Sequence, residues 1–149
     1  MISKQKLIIC ITNSLNEKIQ ILEEERNSIN KEKNEITKSS AGDKFETSRS
    51  TLQIEYDKLN HQIIQLKDQL NKIGLIESNK TFSKIRYGAL VITNSSYYLV
   101  SIGLGKYSID NKSVFVISLT SPIGQILVDK KRGDYIIFNN KKEEIIDII

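Results

Sequence analysis

The chain has 149 residues, the size of about one ordinary domain, which excludes a large multidomain enzyme. It is 39% hydrophobic and 27% charged with a mean hydropathy of -0.30, the profile of a soluble folded protein with a modest core; the apolar run Leu7 to Ile11 is too short to span a bilayer, so the expected location is cytoplasmic with no membrane partner. A single cysteine, Cys10, and a single histidine, His61, exclude an internal disulfide and a Cys/His zinc cluster, while a net charge of +4 suits an anionic partner without requiring one.

Composition changes near residue 74. The first 73 residues hold no proline and one glycine, Gly42, out of seven in the chain. That absence favours long uninterrupted helices, because glycine and proline cost about 1 and 3 kcal/mol in a helix interior. Apolar residues recur at seven-residue steps through Ile8, Leu15, Leu22, Ile29 and Ile36, supplemented by Ile11 and Ile19. After Gly42 the stripe Phe45, Leu52, Tyr56, Leu59, Ile63, Leu66, Leu70 and Ile73 follows the 3/4 spacing of a coiled-coil seam, with Arg49 in its one polar slot. The two stripes mirror each other about a point between Ser40 and Ala41: Ile36 faces Phe45, Leu22 faces Leu59, and Ile8 faces Ile73. The spacing therefore predicts an intramolecular antiparallel coiled-coil hairpin folded at Ser39-Ser40-Ala41-Gly42. Each arm of about 30 residues would reach roughly 45 Å at 1.5 Å per residue. This finger, residues 1–76 with its tip at 39–46, forms the first expected domain.

Residues 77–149 form the second. Strands are expected at 86–93, 97–102, 106–109, 113–118, 134–138 and 143–149, each rich in β-branched or aromatic residues. Turn chemistry separates them at Asn94-Ser95-Ser96, Gly103-Leu104-Gly105, Asp110-Asn111-Lys112 and Asn139-Asn140-Lys141. Thr120-Ser121-Pro122 reads as a cap followed by proline at the first helical position, opening a short helix through Val128. The fold class is α+β: a helical hairpin followed by an antiparallel sheet domain with one short helix.

Little in the chain carries chemistry by itself. No nucleophile–base pair or phosphate-binding glycine loop stands out, and His61 falls on the solvent side of the second helix's seam, so a self-contained enzyme is not expected. The carboxylates at the fingertip, Asp43 and Glu46, have two readings. As N-cap and third helical residue they make a capping box. As two acids on one side of a helix start they can also hold magnesium when a partner completes the ligands. The basic residues divide in the same way. Lys31 and Lys38 share a face, as do Arg26 and Lys33, while Lys44 and Arg49 flank the acids. With Glu32 and Glu35 interspersed they form a solvated surface, or else a strip that contacts phosphates.

At this point the residues resemble the GreA/GreB family of bacterial transcript-cleavage factors. Gly42-Asp43-x-x-Glu46 is similar to the family's Gly-Asp-x-x-Glu tip. Ser121-Pro122-Ile123-Gly124, followed by Lys131-Arg132-Gly133-Asp134, is similar to its Ser-Pro-Ile-(Ala/Gly) helix and Gly-Lys-x-x-Gly-Asp turn. The resemblance covers nearly the whole chain and implies an FKBP-like second domain that docks on RNA polymerase through Ser121, Pro122, Ile123 and Gly124. It also implies that the finger enters the secondary channel. There Asp43 and Glu46 would share a Mg²⁺ with the polymerase active site and promote its own cleavage of backtracked RNA, while Lys31, Lys38, Lys44 and Arg49 meet the RNA 3′ segment. The protein would be a monomeric co-catalyst and not itself an enzyme, binding no cofactor alone. One departure is visible: where the family continues Glu-Asn-Ala-Glu-Tyr, this chain reads Glu46-Thr47-Ser48-Arg49-Ser50. Three rivals stand beside this reading. They are a Gre-like channel inhibitor without cleavage stimulation, a prolyl isomerase suggested by the FKBP-like sheet, and a coiled-coil adaptor in which the tip acids only cap. Against the isomerase, the second half has no tryptophan and no evident apolar proline pocket.

Overall fold

A computed structural model describes residues 1–39 and 43–149, with side chains described outside 37–44. The described residues form α1 (Lys4–Ser39), α2 (Asp43–Gly74), β1 (Leu90–Thr93), β2 (Tyr97–Ser101), β3 (Gly105–Ile109), β4 (Lys112–Ser118), α3 (Pro122–Leu127), β5 (Tyr135–Phe138) and β6 (Lys141–Ile148). The α+β class read from the sequence is the one observed. Packing divides the chain inside the helices: Asn13–Leu70 is one unit, and Met1–Thr12 with Asn71–Ile149 is the other. The roots of both helices thus belong to the sheet unit.

In the helical unit the predicted seam holds the interface. Leu15, Ile19, Leu59 and Ile63 are buried, and Leu22, Ile29, Leu52, Tyr56 and Leu66 are half-buried. The helices run antiparallel, as the cross-helix contacts show: Lys67 pairs with Glu23 at 3.0 Å, Arg26 Nη1 donates to Asn60 Oδ1 at 2.9 Å, and Lys33 Nζ donates to Gln53 Oε1 at 2.6 Å. Two seam positions differ from expectation. At the root, Leu7 is fully buried and Ile8 only half-buried, so the seam follows Leu7 and Ile11 as α1 enters the sheet unit. Phe45, near the far end, is exposed. The fold-back predicted at 39–42 involves Ser40, Ala41 and Gly42, which lie outside the described residues.

The sheet unit is a six-stranded sheet in the order β3-β4-β2-β1-β6-β5. All pairings are antiparallel except one: β2 and β4 run parallel, with Leu99 opposite Val116. The wholly antiparallel sheet expected from the turns is corrected here. β3 passes to the sheet edge instead of folding back on β2, and β4 returns into the gap, where Val114 and Val116 bury beside Leu99. Strand β1 also starts later than expected. Gly88 has φ +91° and the Ala89 N–H donates to the Arg86 carbonyl, so a turn occupies 86–89. Two tight hairpins match their turn residues: Asp110-Asn111 and Asn139-Asn140 all take positive φ, the pattern of a type I′ turn. One face of the sheet packs under α3, where Val91, Val100, Leu127 and Ile145 are sealed from solvent.

Candidate functional site

The motif at α3 is built by local chemistry. Ser121 is the N-cap: its hydroxyl accepts from the Gly124 N–H at 3.1 Å and donates to the Ser118 carbonyl at 2.6 Å. Pro122 occupies the first turn, where a missing N–H costs nothing. Gly124 is required by space, since a Cβ there would stand 1.9 Å from the Ser118 carbonyl oxygen. Ile123 is buried in the core under the sheet. Of the four expected docking residues, Pro122 is exposed, Ser121 is half-buried, and Ile123 and Gly124 face inward. The second motif is a turn. The Lys131 N–H donates to Asp134 Oδ2 at 2.8 Å, and Gly133, at φ +90°, sends its N–H to the Ile145 carbonyl.

At the other end, Glu46 and Arg49 lie one turn apart on α2 and both are exposed, as is Lys31 on α1. The side chains of Asp43, Lys38 and Lys44 lie outside the described residues, and with them the expected capping box. The described residues contain no group of three or more His, Cys, Asp or Glu placed to hold a metal. Arg26 and Lys33 separate from the phosphate-strip reading. Both are half-buried and engaged across the hairpin, and Lys33 also stands 5.1 Å from the centroid of the Tyr56 ring. His61 is exposed and Cys10 half-buried and free. No described helix is long and apolar enough to cross a membrane.

Sequence reasoning missed Glu143. It is buried at 3% exposure, yet it accepts from Ser95 Oγ at 2.6 Å, Ser96 Oγ at 2.8 Å and the Tyr98 hydroxyl at 2.9 Å, with Lys141 Nζ at 3.8 Å. Burial pushes its carboxyl up, but the three hydroxyl donors and the Lys141 ammonium outweigh burial and hold it below its ordinary 4.5. The Tyr98 phenol is raised, by burial first. This cluster ties the β1–β2 turn to β6. The signal was available in the strand period, since Glu143 is in phase with the buried Ile145. Beside it the sheet carries an apolar depression of about 260 Å³ lined by Tyr98, Phe115, Ile117, Ile123, Phe138 and Asn139. The expectation of no apolar pocket in the second half is corrected here, because the depression is lined by residues distant in sequence.

No protein-family profile and no curated protein matches the chain. Among solved structures, one described as the structure of the transcription factor Gfh1 aligns over 92% of both chains, with 18% identity and a TM-score of 0.39.

Proposed function

We propose that this protein is a transcription elongation factor that binds RNA polymerase, inserts its helical hairpin into the secondary channel and stimulates the polymerase's own cleavage of backtracked RNA. The observation that carries this reading is the join of two features in one chain: a hairpin whose second helix opens on Asp43-x-x-Glu46, and a sheet domain bearing Ser121-Pro122-Ile123-Gly124 before the Lys131–Asp134 turn. Each arm is long enough for the task, about 45 Å or more at 1.5 Å per residue. In this reading the sheet domain docks through the exposed end of α3, with Ser121 and Pro122 at the contact and Ile123 and Gly124 holding them in place. Lys31, Lys38, Lys44 and Arg49 meet the RNA 3′ segment. Asp43 and Glu46 act as co-catalysts, bringing two carboxylates to the polymerase active site. Magnesium, when held jointly with the polymerase, supplies Lewis-acid activation for phosphodiester hydrolysis.

Adding the protein to a stalled, backtracked elongation complex tests this directly. Shortened RNA that appears only with the protein supports it. Binding without shortening supports the second reading, a channel-occupying inhibitor, which the run Thr47-Ser48-Arg49-Ser50 after Glu46 favours. No binding to the polymerase removes both.

A further inference from the structure

We propose that a cationic surface on the sheet unit, formed by Lys84, Arg86, Lys130, Lys131 and Arg132, binds the phosphate backbone of nucleic acid without reading its sequence. Lys84 and Arg86 are more than 40 positions from Lys130, Lys131 and Arg132 in the chain, and two backbone hydrogen bonds bring the two segments together. The Ile85 N–H donates to the Lys130 carbonyl at 2.9 Å and the Asp129 N–H to the Ile85 carbonyl at 3.0 Å. Ile85 is fully buried and points inward, so Lys84 and Arg86 on either side of it point out, and both are exposed. Arg86 Nη2 lies 3.6 Å from Asp129 Oδ1, which fixes the two segments as neighbours at the level of side chains. The turn that follows presents Lys131 and Arg132, also exposed, around Gly133.

The charge balance decides what this surface attracts. Five cations stand against two carboxylates, Asp129 and Asp134, and one oxygen of Asp134 already accepts the Lys131 N–H. The whole chain carries only +4, so most of its excess charge is concentrated here. Between the cations lie Asp129, Gly133 and Asp134, with Val128 at the margin. The exposed Val128 and Tyr135 flank these residues in sequence, so charge and not an apolar centre dominates this surface. The exposed Tyr135 ring beside Asp134 is engaged by Lys142 Nζ at 4.4 Å, which leaves the sequence-independent phosphate term as the main attraction. Two of the chain's four arginines are here, and their forked guanidinium matches phosphate oxygens.

The test uses the full chain without polymerase, so its failure leaves the proposed function untouched. Fluorescence anisotropy would follow binding to labelled duplex DNA of two unrelated sequences, and in a separate arm to single-stranded RNA, across a salt series. The expected result is equal affinity for the two duplexes and a log–log salt slope of about −3 to −4. Both Lys131→Gln/Arg132→Gln and Lys84→Gln/Arg86→Gln should weaken binding about tenfold at low salt and reduce the slope by about two. Lys18→Gln/Lys58→Gln on the helices should change neither. Salt-sensitive binding in either arm supports the proposal, and binding in neither arm at low salt would overturn it. Wild-type affinity and slope in both surface variants would overturn the proposal. Equal competition by polyglutamate would also overturn it, assigning the surface to an acidic protein.

Discussion

The two units of this molecule are held by different means. In the sheet unit Leu7, Ile85, Leu90, Leu99, Leu127 and Ile145 are fully excluded from water. In the helical unit, beyond Ile19 and Leu59, the seam residues are at most half-buried, and Arg26–Asn60 and Lys33–Gln53 supply polar contacts across it. A polar contact fixes register at little net gain in stability, whereas closed apolar packing gives stability directly. The sheet unit should therefore be the stable body and the hairpin the more easily opened one. Truncation sharpens the contrast most: Ile145→Ala should cost about 3 kcal/mol in urea unfolding, and Leu22→Ala about 1 kcal/mol. Equal costs would break the comparison.

A backbone test follows. Gly124→Ala places a Cβ against the Ser118 carbonyl and 2.8 Å from Leu119 Cα, neither of which is a flexible tip, so about 2 kcal/mol of stability should be lost. A wild-type melting temperature would show that the α3 motif tolerates bulk.

Glu143 gives a smaller effect with a defined pH window. Its carboxyl is held below 4.5 in the fold, so its contribution is fully present above that value and is lost as the pH falls through the lower, folded value. Glu143→Gln should cost about 1 kcal/mol at neutral pH and should flatten the acid limb of the stability curve relative to wild type. A variant with an unchanged acid limb would assign that limb to other carboxylates.

How far these features were legible depends on whether they are local. The hairpin seam, the type I′ turns at Asp110-Asn111 and Asn139-Asn140, and the Ser121–Pro122 helix start follow from residues near one another in sequence. The parallel β2–β4 pair does not, because Gly103-Leu104-Gly105 permits either a hairpin or an exit to the edge, and burial of Val114 and Val116 beside Leu99 decides between them. The Glu143 cluster depends on a contact 45 to 48 residues distant. Of the candidate site, Glu46, Lys31 and Arg49 are exposed as expected, whereas Arg26 and Lys33 belong to the hairpin interface and Ile123 to the core. The smallest expected effect lies on the hairpin surface: exchanging Glu23 and Lys67, a partly exposed pair at 3.0 Å, should shift stability by less than about 0.5 kcal/mol. A larger loss would give surface charge a role in the hairpin that its exposure does not support.

The central claim, that the fingertip acids serve cleavage and not merely the helix start, is tested most directly by the double variant Asp43→Asn/Glu46→Gln on a backtracked elongation complex. Asn caps a helix about as well as Asp, and Gln preserves the capping-box geometry, but both remove the anionic oxygen that magnesium prefers. The account predicts a variant that folds and binds polymerase as the wild type does, yet loses most cleavage stimulation and regains part of it at raised magnesium. Full cleavage by this variant would contradict the account.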